Sequence, residues 1–204
     1  MTAAAARIGL FGGSFDPPHL GHRALAEAAL QVLSLDEVRW IPAGAPWQKA
    51  ERALAAAGHR AAMVRLAIAG EARFTLDERE LHRAGPSYTI DTVREIQAER
   101  PDAALFLIIG QDQYARLHTW HEWSELLGRV MLAVVARNGQ PPIPGAAVMN
   151  QRHRIEVLSM PRVDVSATLV RQRVETGADL VALVGTAVAG YIERHQLYRG
   201  DAPH

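Results

Sequence analysis

The sequence contains no cysteine among its 204 residues, which excludes disulfide bonds, thiolate metal sites and a cysteine nucleophile. It also lacks a charge excess, because 22 Lys and Arg residues balance 22 Asp and Glu residues, so nothing in the overall charge favours nucleic acid or a membrane surface as partner. No run of about 18 apolar residues occurs and no apolar segment precedes a signal cleavage site. These absences predict a soluble cytoplasmic protein with no membrane or nucleic-acid partner.

What the sequence does contain is 49% hydrophobic residues, arranged in short apolar runs that alternate with helix-like segments. The runs predicted as strands are "ARIGLF", "EVRWIPAG", the start of "FTLDERELHR" before its polar edge, "ALFLIIG", "VMLAVVAR" and "IEVLSM". This alternation predicts an α/β fold, a doubly wound, Rossmann-like and mostly parallel sheet. The length suits one domain over residues 1–204, with residues 166–204 as a small C-terminal helical part.

The intervening segments have helical periodicity. Residues 20–33 are predicted to form an amphipathic helix whose buried stripe is at positions 20, 24, 28 and 32. Residues 59–70 and 87–97 are predicted helices as well. Ser166 is the predicted N-cap of a helix that Gly177 closes, and Thr186 is the predicted start of another.

Polar and glycine-rich segments follow the predicted strands directly. They are residues 12–22, residues 42–49 and residues 110–112. Because doubly wound sheets bind ligands at the carboxyl ends of their strands, these segments are the candidate binding site.

The segment "GGSFDPPHLGH" is the most informative of the three. Gly12 and Gly13 are expected to turn the chain tightly and to let backbone N–H groups approach a ligand. The helix that follows directs its partial positive charge to the same place, so an anion is the expected occupant. The segment matches neither the dinucleotide-binding glycine pattern nor the P-loop.

His19 and His22 are expected on one face of the first helical turn. Histidines in this position could be metal ligands, phosphate ligands or plain surface residues. Zinc is disfavoured because no H-E-x-x-H pattern and no cysteine is present. The preceding strand and glycines favour phosphate, and Gly21 is expected to leave space for a phosphate chain.

This segment resembles the signature of the H-x-G-H nucleotidyltransferase superfamily, and its G-G-[ST]-F-D-P-x-H form resembles the bacterial nicotinate mononucleotide adenylyltransferases. The likeness continues in "FTLDEREL", "GPSYTIDTVREI", "LFLIIGQDQYARLHTWHEWSELL", "VDVSATLVRQRV" and "YIERHQLY". It implies an enzyme of NAD biosynthesis, in which the nicotinate mononucleotide phosphate attacks the α-phosphorus of ATP in line and gives deamido-NAD and pyrophosphate. It also implies Mg²⁺ that arrives with ATP, and no metal ligand from the protein.

The resemblance implies roles for individual residues, with His19, His22, Lys49 and Arg171 as the catalytic set. The implied ATP-binding residues are Gly12, Gly13, Ser14, Phe15, His19, His22, Gly110, Asp112, Ser166, Thr168 and Arg171. Lys49 lies in "PAGAPWQK", where the family commonly has P-P-H-[KR]. Trp47-Gln48 replaces Pro-His there, so the cation is carried over without a third histidine.

The implied nicotinate mononucleotide-binding residues are Ser14, Phe15, Lys49, Tyr88, Thr89, Trp120 and His121. Trp120 would stack on the cationic pyridinium ring. Thr89 would receive the nicotinate carboxylate together with backbone N–H groups near Tyr88 and His121. Trp123 is expected in the core.

Three other functions compete with this one. A phosphopantetheine-type adenylyltransferase has the same H-x-G-H motif but a shorter chain without the "SYT" and "TWHEW" pair. A non-catalytic nucleotide-binding regulator would be expected to have lost His22, Lys49 or Arg171, and all three are present. A metal-dependent hydrolase is disfavoured by the lack of clustered carboxylates.

Overall fold

The centre of the molecule is a six-stranded, all-parallel sheet. A computed structural model describes residues 5–44, 54–136, 140–161 and 163–199. The strands are β1 (Arg7–Gly13), β2 (Glu37–Pro42), β3 (Phe74–Leu76), β4 (Ala104–Ile109), β5 (Met131–Val135) and β6 (Ile155–Leu158). Their order is β3-β2-β1-β4-β5-β6, which confirms the predicted doubly wound α/β fold.

Helices connect the strands and cover both faces of the sheet. The helices are α1 (Leu20–Val32), α2 (Ala57–Ile68), α3 (Arg79–His82), α4 (Thr89–Glu99), α5 (Gln111–Ala115), α6 (Trp123–Arg129), α7 (Ala146–Met149), α8 (Ala167–Glu175), α9 (Val181–Val184) and α10 (Thr186–Arg194). A 3₁₀ turn, Leu117–Thr119, separates α5 from α6. The longer helices lie where the periodicity predicted them, whereas α3, α7 and α9 have four residues each and are too short to show a period.

Successive residues of the central strands enter different cores. Leu107 and Ile109 of β4 pack on the α4 and α6 side of the sheet, and Phe106 and Ile108 pack on the α1 and α2 side. Covering both faces explains why the strands are continuous apolar runs and do not alternate with polar residues. A third cluster joins Met63 of α2 to the C-terminal helices.

The predicted buried stripe of α1 is wrong. The residues that α1 buries are Leu25, Ala26, Ala29 and Leu30, whereas Leu20 is 36% exposed and Val32 is 56% exposed. Apolar residues form three neighbouring i, i+4 rows in this alanine-rich helix, so periodicity alone does not select among them. Docking of α1 on the sheet buries the two rows that contain Leu25 and Ala26.

The C-terminal helices begin and end close to the predicted positions. Ser166 is the N-cap of α8, its hydroxyl accepting the Leu169 N–H at 3.1 Å, and Gly177 follows that helix with φ of +66°. Of the helices in the described ranges, none combines the length and the apolarity that crossing a bilayer would need.

Candidate active site

The site lies where the strand order reverses, at the carboxyl ends of β1 and β4. A cavity of about 380 Å³ opens there, a size typical of a ligand pocket. The predicted residues that line it are Gly12, Gly13, Ser14, His22, Tyr88, Thr89, Gly110, Trp120 and His121. Lys49 lies outside the residues that the structure describes.

The two glycines do not form the tight turn expected of them. Gly12 and Gly13 are the last residues of β1 and remain in register with Ile41 and Pro42 of β2. A Cβ on Gly12 would meet nothing within 4 Å, so the missing side chain leaves open space at the cavity wall. The turn is made further on, by Phe15, whose φ is +45°.

Phe15 combines a rare backbone conformation with full burial. Its side chain is 1% exposed, and its ring centroid lies 5.1 Å from that of His22 and 5.2 Å from that of Trp40. A left-handed backbone costs an aromatic residue about 1–3 kcal/mol, and it persists where the surroundings enforce it. The aromatic packing therefore holds the loop after β1 in a defined shape and supports the ring of His22.

His19 and His22 form a reciprocal capping box at the start of α1. The Nδ1 atom of His19 accepts the His22 N–H at 3.3 Å, and the Nδ1 atom of His22 accepts the His19 N–H at 3.2 Å. The two rings stack with centroids 3.6 Å apart. Since both Nδ1 atoms accept, each neutral ring must carry its proton on Nε2, which makes that atom a donor.

Burial lowers the pKa of His19 to about 4, so this ring is neutral at pH 7 in the protein without ligand. The pair then offers directed Nε2–H donors. A bound phosphate would favour the charged form, whereas the bonds that Nδ1 accepts favour the neutral form.

The structure explains the glycine at position 21 differently from the prediction. A Cβ at this position would lie 3.0 Å from Cγ1 of Val165 and 3.2 Å from Nδ1 of His19. The space beside Gly21 is thus taken by a side chain and an imidazole, and not kept for a phosphate chain. The glycine lets the segment that precedes α8 approach the histidine helix.

Arg171 of α8 reaches the loop that follows β1. Its Nη1 donates to the carbonyl of Asp16 at 2.7 Å, and its Nη2 donates to the Thr168 hydroxyl at 3.1 Å. The structure therefore brings α8 and the glycine–histidine loop together, although they are about 150 residues apart in the chain. Ser166, Thr168 and Arg171 are not among the residues that line the cavity.

The opposite end of the cavity is aromatic. The Tyr88 ring stacks on the His121 ring with centroids 4.2 Å apart, and the half-buried Trp120 packs against the core while lining the cavity. Thr89 begins α4, and Tyr88 at its N-cap makes no side-chain capping hydrogen bond. Trp123 packs against the same core but remains partly exposed, so its predicted core position is met only in part.

The segment after β4 is divided between the cavity and the surface. Gly110 lines the cavity and is the N-cap of α5, where its N–H donates to Oε1 of Gln113 at 3.1 Å. Asp112 is the second residue of α5, is exposed, and lies outside the cavity lining.

Sequence reasoning missed Glu80, a cavity-lining carboxyl that is only 8% exposed. Its Oε1 accepts the Thr92 hydroxyl at 2.7 Å, and burial raises the pKa of Glu80. A Cβ on Gly44 would lie 2.0 Å from the Glu80 carbonyl oxygen, so the chain after β2 passes tightly over α3. Glu80 stands in the polar run "DEREL", and nothing in such a run distinguishes a buried carboxyl from exposed ones.

Within the described ranges, no three His, Cys, Asp or Glu side chains gather in a way that would hold a metal ion. The donors around the carboxyl end of β1 are backbone groups, imidazoles and a guanidinium. Such donors suit an anion.

A parallel sheet with two glycines ending β1 and paired histidines at its switch point is the arrangement expected of the nucleotidyltransferase class. The match to a known family agrees, since residues 10–173 fit the cytidylyltransferase-like family. The chain is 56% identical over 204 residues to a "Probable nicotinate-nucleotide adenylyltransferase" of Methylibium petroleiphilum, with 97% of this chain and 96% of the relative covered. It is 46% identical over 197 residues to a protein of the same name from Bordetella petrii, with 95% and 99% covered.

Among solved structures, the fold is similar to that of the Plasmodium falciparum nicotinic acid mononucleotide adenylyltransferase complexed with NaAD. The TM-score is 0.79 at 16% identity, with 95% of this chain and 97% of that chain covered. The chain belongs to the nicotinate-nucleotide adenylyltransferase family, and it is an enzyme of the nucleotidyltransferase class.

Proposed function

We propose that this enzyme transfers the adenylyl group of ATP to nicotinate mononucleotide in NAD biosynthesis. A phosphate oxygen of the mononucleotide attacks the α-phosphorus of ATP and forms the new P–O bond. The bond from the α-phosphorus to the oxygen that bridges to the β-phosphate breaks, and pyrophosphate leaves with the electron pair. The product is nicotinate adenine dinucleotide, and no covalent enzyme intermediate is needed.

The observation that carries this proposal is the composition of the one cavity at the strand switch point. Gly12, Gly13 and His22 form one part of its wall, and Thr89 and Trp120 form another. Two anionic nucleotides bound side by side would place a phosphate of one against a phosphate of the other. Holding two reactants in that geometry supplies much of the rate acceleration when the protein provides no nucleophile.

At the phosphate end, the proposed catalytic work is electrostatic. His19 and His22 donate from Nε2 to the ATP phosphates, and the backbone from Gly12 to Phe15 adds N–H donors. Arg171, with Ser166 and Thr168 at the start of α8, binds the β- and γ-phosphates. Lys49 is proposed as a further cation on the sequence resemblance alone.

At the aromatic end, Trp120 is proposed to stack on the pyridinium ring, with cation–π attraction. The first N–H groups of α4, near Tyr88 and Thr89, are proposed to bind the nicotinate carboxylate together with His121. N–H and O–H donors suit a carboxylate better than an amide, a preference of about 1–3 kcal/mol for each unmatched group.

Adenosine is proposed to bind beside Gly110, with Asp112 reaching a ribose hydroxyl from the start of α5. Mg²⁺ is proposed to enter as part of the ATP substrate, where it would neutralise phosphate charge. Residues 1–204 are proposed to work as one domain in the cytoplasm, with residues 166–204 as its C-terminal helical part.

A pyrophosphate-release assay with ATP and Mg²⁺ tests the function. Parallel reactions contain nicotinate mononucleotide, nicotinamide mononucleotide or phosphopantetheine, and the dinucleotide product is identified by mass. We expect rapid turnover with the nicotinate compound and at least about tenfold slower turnover with the amide. Turnover with phosphopantetheine alone, or with no mononucleotide acceptor, would overturn the proposal.

A further inference from the structure

Asp16 is a buried carboxylate in the middle of the loop after β1. Asp16 is only 2% exposed. Its Oδ1 accepts the Tyr198 hydroxyl at 2.8 Å and the Ala55 N–H at 3.1 Å. One oxygen atom thus joins the loop after β1 to the residue Ala55, just before α2. The same atom joins this loop to Tyr198, which lies 182 residues further along the chain.

Arg60 of α2 is buried beside it, at 3% exposure. Its Nη1 donates to the Ser14 carbonyl at 3.0 Å, and its Nε donates to the Ala55 carbonyl at 3.1 Å. Burial lowers the pKa of Arg60, and the charge of Asp16 opposes that shift. Asp16, Arg60 and Tyr198 together form a loop clamp.

The loop clamp acts on the backbone atoms that shape the phosphate end of the site. Arg60 holds the Ser14 carbonyl, and Arg171 holds the Asp16 carbonyl at 2.7 Å. Phe15, between Ser14 and Asp16, has φ of +45°, and Tyr198 has φ of +63°. Left-handed backbone at non-glycine residues persists where surrounding contacts enforce it, and it concentrates at functional sites.

Stability alone is a poor explanation for this arrangement. A buried charged pair gains little over well-packed apolar residues, because both ions lose their hydration. Its hydrogen bonds, however, define directions that apolar packing does not define.

We propose that Arg60 and Tyr198 are positioning residues for adenylyl transfer, which hold the Ser14–Asp16 loop and, through the Asp16 carbonyl, Arg171 in the orientation that binds the ATP triphosphate. This proposal rests on the proposed function. Neither residue needs to touch substrate, since both act through the backbone of the loop.

The test compares Tyr198→Phe with Tyr191→Phe. Both changes remove one hydroxyl from the C-terminal part, but the Tyr191 hydroxyl bonds to His59 at 2.9 Å and not to the loop. We expect kcat/KM for ATP to fall about tenfold in Tyr198→Phe, the loss of one hydrogen bond to a charged group. The KM for nicotinate mononucleotide should stay within about twofold, and Tyr191→Phe should match wild type.

Arg60→Met and Arg60→Lys provide a second pair of variants. Arg65→Met is their control, because Arg65 lies on the same helix and is exposed. Lysine keeps the charge and one donor, so Arg60→Lys should recover part of the ATP kcat/KM lost in Arg60→Met. Tm is measured for each variant, and kinetics are taken well below it. If Tyr198→Phe fails to fold, the comparison of Arg60→Met with Arg60→Lys tests the proposal.

The Kd for ATP, measured by calorimetry without a mononucleotide, separates this proposal from the proposed function. If the wild type forms no dinucleotide, the function fails, while a tenfold weaker ATP Kd in Tyr198→Phe still supports the loop clamp. A lowered Tm with unchanged ATP Kd, kcat and KM would show a merely structural role and overturn the proposal.

Discussion

Tyr88 and His121 stack face to face, with ring centroids 4.2 Å apart and an angle of 29° between the ring planes. The contact joins the residue before α4 to the segment between the 3₁₀ turn and α6. Helix α4, strand β4, helix α5 and the 3₁₀ turn separate the two residues in the chain. It places Thr89 and Trp120 on the same cavity. A helix N-terminus and a flat aromatic face thereby meet, as an aromatic carboxylate would require.

Replacing Trp120 with alanine is expected to raise the KM for nicotinate mononucleotide about tenfold while the KM for ATP stays within about twofold, because the lost stacking acts on one substrate. Steady-state kinetics with each substrate varied in turn measures both constants. Trp123→Ala is the control, since Trp123 packs on the core outside the cavity and should lower Tm without this selective effect. Equal rises in both KM values for Trp120→Ala would argue against stacking.

His22→Ala is expected to lower kcat/KM by at least about 100-fold, the usual cost of one donor to developing phosphoryl charge. Circular dichroism should show an intact fold, because the lost cap costs about 1 kcal/mol. His118→Ala removes an exposed histidine outside the cavity lining and should leave turnover unchanged. Near-wild-type turnover of His22→Ala would contradict the phosphate role.

The lowered pKa of His19 predicts a pH dependence of stability. Burial moves this pKa from 6.5 to about 4, so between those values the unfolded chain binds more protons than the folded chain. The contribution of His19 to the free energy of unfolding is therefore fully present above about pH 6.5 and is lost as pH falls toward 4.

Urea unfolding at pH 7 and pH 4.5 measures this effect. His19→Asn keeps a capping residue that does not titrate, and it should lose on the order of 2 kcal/mol less than wild type between the two pH values. His82→Asn changes an exposed histidine and should behave as wild type. An unchanged pH dependence in His19→Asn would refute the assignment of this loss to His19.

Gly21→Ala is expected to lower kcat/KM about tenfold or more. The added Cβ would crowd Val165 at 3.0 Å and His19 at 3.2 Å, so the Val165 side chain and the His19 ring must each move by a few tenths of an ångström. Gly190→Ala, in α10 with nothing within 4 Å of its added Cβ, should keep full activity and gain about 0.5–1 kcal/mol. Unaltered kinetics in Gly21→Ala would show that the approach of α8 to the histidines is not needed.

The sheet and most of the long helices follow from local patterns in the sequence. Fully apolar runs such as "ALFLIIG" must be covered on both faces, which specifies a buried parallel strand whatever its neighbours are. Ser166 was identified as a cap because capping is a local hydrogen bond between residues three apart. The glycine–histidine segment and the "SYT" and "TWHEW" segments were found as motifs for the same reason, since each is contiguous in the chain.

Tertiary structure alone decided how those motifs meet. The buried row of α1, the left-handed turn at Phe15 and the burial of Glu80 depend on packing between elements. The bond from Tyr198 to Asp16 joins residues 182 positions apart, and a tyrosine near a chain end gives no local sign of such a partner. Local patterns report hydrogen bonds and periodicities within one element, whereas the shape of this site comes from contacts between elements that no local pattern records.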